Sequence, residues 1–90
     1  MGEPNALVRL GQRDEKNAIA ESDREKRDVL LLRAFGFYAA AAERSYDEGW
    51  PDDAWQSWRY RRSTLARLLA REGLMQQVAD SYVRVQDKWR

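Results

Sequence analysis

The chain is expected to be all-α: an antiparallel helical hairpin with a third helix packed across it, a small helical bundle, preceded by an N-terminal arm of uncertain order. Three observations predict this. Apolar residues from Leu31 onward recur at helical spacing. Gly49 and Gly73 stand where two of these patterns stop, as residues after a helix end do. β-branched residues are few and nothing alternates at period two, so no strand is expected.

Residues 1–21 are read as an arm and residues 22–90 as the bundle domain. "NALVRLG" supplies one or two helical turns, but "GQRDEKN" carries no apolar periodicity. A mobile arm and a marginal helix fit this segment equally well. The first helix of the bundle domain begins at "SDRE", where Ser22 and Glu25 match a capping box, and runs to about Glu48. Its main face is Leu31, Leu32, Phe35, Tyr38, Ala39, Ala42 and Tyr46, about 120° of the wheel. A second strip, Leu30, Ala34, Phe37 and Ala41, implies a helix covered on two sides. Gly36 and the run Ala39–Ala42 let neighbours approach closely.

The next helix is expected over Pro51–Glu72, with Pro51 at its first position and Asp52 and Asp53 against the positive end of its dipole. Its stop is "LLAREGL", with Gly73 left-handed and Leu74 reaching Leu69. A last helix is expected over about 74–89, with Met75, Val78, Tyr82, Val85 and Trp89 inward and Gln76, Gln77, Asp80, Arg84 and Asp87 outward. Burial of Phe35, Tyr38, Tyr46, Trp55, Trp58, Leu65, Leu69, Tyr82 and Trp89 should dominate stability.

Ninety residues with 43% hydrophobic and 34% charged side chains make one small globular domain. There is neither Cys nor His, which excludes disulfides, thiol chemistry, His/Cys zinc sites and His-based triads. No EF-hand spacing occurs, and no cofactor or metal is expected. Residues 1–17 contain no apolar leader, and the longest apolar run, Val29–Ala42, is interrupted by Arg33 and is too short for a bilayer. A cytoplasmic protein without a membrane segment is expected. Net charge is +1, but residues 1–49 carry eight basic and ten acidic side chains, and residues 50–90 eight and five.

"WQSWRYRRS", residues 55–63, concentrates aromatics and arginines, and residues 54–71 hold five arginines and no acid. On a helical wheel Ala54, Trp55, Trp58, Leu65, Leu68 and Leu69 share an arc of about 140°, so the tryptophans face the core. Tyr60, Arg67 and Arg71 lie opposite. Arg61 and Arg62 flank the apolar arc, where an ordinary bundle places Leu or Ala. One reading pairs them with Glu43, Asp47 or Glu48. The sharper one makes Arg59, Tyr60, Arg61, Arg62, Arg67 and Arg71 a partner- or anion-binding surface, since planar guanidinium forks suit phosphate and carboxylate.

Other constellations carry less. "LARLLAREGLMQQVADSY" resembles a helix-turn-helix, with Gln76 and Gln77 exposed to read adenine. Against this, Leu69 falls where a small residue is wanted, and Asp80 and Asp87 would repel phosphates. "YDEGWPDDAW" resembles the centre of a tetratricopeptide hairpin, with that family's Gly-to-Ala spacing at Gly49 and Ala54. The resemblance covers about 30 residues, without the family's first-helix signature or a second repeat, and implies a tight hairpin only. Asp52/Asp53 and Glu43/Asp47 serve as cap and solvated edge, and no nucleophile has a partner base.

The function expected is that of a non-enzymatic interaction module. It would self-associate through Leu30, Ala34, Phe37 and Ala41, or bind a protein partner, as an inhibitor or adaptor of phage or accessory-genome type would. The alternative is a small regulator that binds a nucleotide or nucleic acid through the Trp/Arg face of residues 51–72.

Overall fold

Helix α1 spans Pro4–Ala20, α2 Arg24–Asp47 and α3 Asp52–Arg71, and a fourth helical segment follows over 75–80. The computed structural model describes residues 4–71 and 73–80, with backbone alone at 52–55 and 57. No strand occurs among the described residues. The bundle is all-α, as composition and spacing predict, and α2 is its centre, with α1 and α3 both packed against it.

The segment without apolar periodicity is thus a 17-residue helix docked on the bundle. Its buried residues are Pro4, Leu7, Gly11, Asp14 and Ala18, at spacings of 3, 4, 3 and 4. This is a helical seam with two members, Gly and Asp, that carry no hydrophobic signal. Gly11 is there for close approach. A Cβ on it would stand 3.0 to 3.2 Å from the Tyr38 ring. Glycine within a helix costs about 1 kcal/mol relative to alanine, so its use marks a place where the backbone itself must touch a ring.

The start of α2 lies one residue later than the capping box predicts. Asp23, not Ser22, is the N-cap, and its carboxylate accepts from the Lys26 amide at 3.0 Å. Glu21 Oε1 accepts from the Asp23 amide at 3.2 Å and braces the three-residue link from α1. Both predicted stops are present. Gly49 (φ 74°) and Gly73 (φ 78°) are left-handed. Trp50 N–H donates to Ser45 O and Leu74 N–H to Leu69 O, the long bonds of two Schellman endings. The α2–α3 turn is closed by Trp50, whose ring lies 5.6 Å from that of Trp58 and whose indole N–H donates to Glu48.

One core cluster holds Ala34, Phe35, Tyr38, Leu65, Leu69 and Val78, with Leu74 packed against it. A second holds Leu7, Ala40 and Ala41, with Val8, Phe37 and Trp58 against it. Ala39, Ala40, Ala41 and Ala42 are all buried. Four consecutive residues sweep about 300° of the wheel, so α2 is enclosed there on nearly every side.

Three expectations need correction. The strip Leu30, Ala34, Phe37, Ala41, expected to lie open for self-association, is partly covered within the chain, with Leu30 and Phe37 keeping some exposed surface. Ala34 and Ala41 have no exposed surface, and Leu7 and Val8 of α1 lie against its centre. Tyr46 is exposed rather than core, because Glu43, Arg59 and Arg62 surround it where a core would need apolar neighbours. Met75 is also exposed, since the fourth segment faces the core with Leu74 and Val78, one turn apart, and Met75 lies a residue round the helix. The placements expected for Trp55, Tyr82, Val85 and Trp89 lie outside the described side chains.

The shifted cap makes a direct prediction. Asp23→Ala should lower urea-unfolding stability by about 1 kcal/mol, whereas Ser22→Ala should change it by less than about 0.5 kcal/mol. The reverse order would restore Ser22 as the cap.

Candidate functional site

On α3, Leu65 and Leu69 are buried and Trp58 is half-buried, while Leu68, expected on the same arc, is 42% exposed at its edge. Tyr60, Arg67 and Arg71 face outward as predicted. The hydroxyls of Ser63 and Thr64 donate back to the carbonyls of Arg59 and Tyr60 at 3.1 Å, satisfied on their own helix.

Arg61 and Arg62 find acids, but from two directions. Arg62 Nη1 lies 3.9 Å from Glu43 Oε1 of α2, within the pairing expected. Arg61 instead reaches α1: its Nε donates to Glu15 Oε1 at 3.0 Å. The same oxygen accepts from the Tyr38 hydroxyl at 2.6 Å. One carboxylate oxygen thereby joins α1, α2 and α3. Burial first, then the bond to Glu15, raises the Tyr38 phenol well above the ordinary tyrosine range, with Arg61 opposing in part. The bond to Glu15 is likewise the main reason that Arg61 holds its proton more firmly than a free guanidinium.

Asp14, next to Glu15, is buried, and its Oδ2 makes no hydrogen bond. Arg33 Nε of α2 stands 3.5 Å from that oxygen, and Arg13 Nη2 lies 3.6 Å from Oδ1. A buried charge is a weak source of stability, but it disfavours registers that leave it without a counter-ion. Neither acid was legible as a partner from sequence. The available signal was the 3, 4, 3, 4 seam, which passes through Asp14.

The structure does not bring the candidate arginines into one patch. Arg59 and Arg62 share a groove of about 360 Å³ with Ala42, Glu43 and Tyr46. Arg61 belongs to the Glu15 clamp. Arg67 and Arg71 share a groove of about 300 Å³ with Tyr60, Thr64 and Leu68. Leu68 also lines a third groove, about 290 Å³, with Ala18, Ile19, Arg27, Asp28 and Leu31. On the fourth segment Gln76 and Gln77 are exposed, but Gln76 Nε2 donates to Asp80 and a carboxylate stands beside the amide meant to read a base. Among the described residues no three acidic side chains are placed to hold a metal, and no helix is long and apolar enough to cross a membrane.

No protein-family model, curated protein or solved structure matches the chain. Its surface chemistry is therefore the ground for a functional reading.

The clamp predicts an alkaline signature. The unfolded chain ionises Tyr38 near pH 10, whereas the folded chain holds that proton to higher pH. Its contribution is fully present below about pH 10 and falls as pH rises beyond it. Tyr38→Phe should cost about 1 to 2 kcal/mol at neutral pH and flatten the alkaline limb of the stability curve. An alkaline limb as steep as in the parent chain would contradict the clamp.

Proposed function

We propose that this chain is a non-enzymatic, cytoplasmic interaction module that binds a protein partner through the outer face of α3. The observation that carries the reading is the fold's division of the five arginines. Arg61 and Arg62 are turned to Glu15 and Glu43, and Arg59 lines the groove beside Glu43. Arg67 and Arg71 remain at the surface, one helical turn apart, around a groove with Tyr60 and Leu68. Tyrosine and arginine are the residues that protein interfaces concentrate, because each combines a large contact area with a polar end.

The enclosure of α2 supports partner binding over self-association, since α1 takes the position a second copy would have filled. The clamp supports a non-catalytic role. Tyr38, Glu15 and Arg61 satisfy one another across three helices, and the phenol is held protonated instead of poised to exchange its proton. Divergence of the arginines weakens the nucleotide and nucleic-acid alternative, which needs them convergent.

The immobilised chain should retain a protein from an extract of its source cells after nuclease treatment. The Arg67→Glu/Arg71→Glu variant should retain about tenfold less, with unchanged helical circular dichroism. Equal retention by both, or retention abolished by nuclease, would overturn the reading.

A further inference from the structure

The outer face of α3 is continuous with a second surface. Leu68 belongs to two grooves at once: on one side lie Tyr60, Thr64, Arg67 and Arg71, on the other Ala18, Ile19 and Leu31, with Arg27 and Asp28. Ile19 is 87% exposed, Tyr60 69% and Leu68 42%. Three large apolar or aromatic side chains from α1 and α3 thus stand in water along a trough made of two grooves that meet at Leu68. Between Tyr60 and Arg71 the trough follows α3 for eleven residues, about 16 Å, the length of three turns of a helix laid beside it.

We propose that this trough is the docking site of an acidic amphipathic helix of a partner protein. The proposal rests on the reading of α3's outer face as a partner surface and adds the occupant's chemistry. Charge selects the acid. Residues 54–71 contain no carboxylate, and Arg67 and Arg71 repeat at i, i+4. Carboxylates at the same interval on a partner helix meet both guanidinia with one register of side chains. The floor selects the amphipathic helix. Ile19, Leu31 and Leu68 accept leucine-like side chains at i, i+3, i+4 and i+7, the helix-in-groove mode. The same floor disfavours a nucleic acid. It offers apolar surface where a phosphate backbone needs cations, and Asp28 places a carboxylate in its wall. A net charge of +1 adds little long-range attraction for a polyanion.

The test is fluorescence anisotropy with the full chain and four labelled probes. The first is a designed peptide of about 20 residues, long enough to be helical alone, with a leucine stripe flanked by glutamates. The second has the same composition with the leucines scattered. The third replaces glutamate by lysine, and the fourth is a DNA duplex. The first peptide should bind about tenfold more tightly than the other three. Ile19→Asp and Leu68→Asp should each weaken it by about tenfold, as should Arg67→Glu/Arg71→Glu. Ile19 is almost wholly exposed, so its substitution keeps the test valid even where Leu68→Asp perturbs folding. Equal binding of the first two peptides, or indifference to Ile19→Asp, would overturn the amphipathic helix and leave α3 as a surface that reads charge alone. Tighter binding of the duplex would overturn it in favour of nucleic acid. Failure of every anionic probe would overturn both this inference and the partner reading beneath it.

Discussion

One oxygen atom joins all three long helices. Glu15 Oε1 accepts from the Tyr38 hydroxyl and from Arg61 Nε, and so ties α1 to both of the other long helices. α1 docks with a modest apolar surface, Leu7 and Ala18 buried and Val8 packed against both core clusters. Its seam is Pro4, Leu7, Gly11, Asp14 and Ala18, and only Leu7 is a large hydrophobic side chain. What the seam lacks in area it supplies in fit and charge. Gly11 lets the Tyr38 ring sit against the backbone, Glu15 takes the hydroxyl at the end of that ring, and Asp14 meets Arg33. Steric fit and polar contacts thus act within about one turn of α1 and add to the packing of Leu7 and Val8.

That docking determines which surfaces remain. With α1 over Ala40, Ala41 and Phe37, the middle of the central helix is covered, and its first turns, at Arg27, Asp28 and Leu31, remain open beside α1 and α3. With Arg61 engaged by Glu15 and Arg62 by Glu43, the arginine-rich stretch of α3 divides into members held by acids of the neighbouring helices and members on the outer face. The outward members, Arg67 and Arg71, lie with Tyr60 along a trough that begins at the C-terminal end of α1. Core arrangement and surface chemistry therefore meet at the same contact.

Much of this was legible from residue order, for physical reasons that differ by element. The two stops were legible because left-handed backbone selects glycine at Gly49 and Gly73. The enclosure of α2 was legible because two apolar strips on one helix need two covers. The identity of the second cover was not. α1 hides its periodicity by using Gly11 and Asp14 at seam positions, so residue order alone leaves the strip open to a second copy of the chain. The cap moved from Ser22 to Asp23 because both residues can cap, and Glu21 bracing the Asp23 amide favours the later one. At the candidate site, the outward set Tyr60, Arg67 and Arg71 followed from the wheel, while the grouping of Leu68 with Ile19 did not. A wheel describes one helix, and that groove is built from three.

Native-state hydrogen exchange tests the central claim most directly, because it reads the docking of α1 residue by residue. With the clamp in place, the amides of Gly11 to Ala18 should exchange at rates close to those of Ala34 to Ala42, through the same global opening. Exchange of the α1 amides about a hundredfold or more faster than those of α2 would show that α1 opens independently. The Glu15 clamp would then not be what closes the bundle.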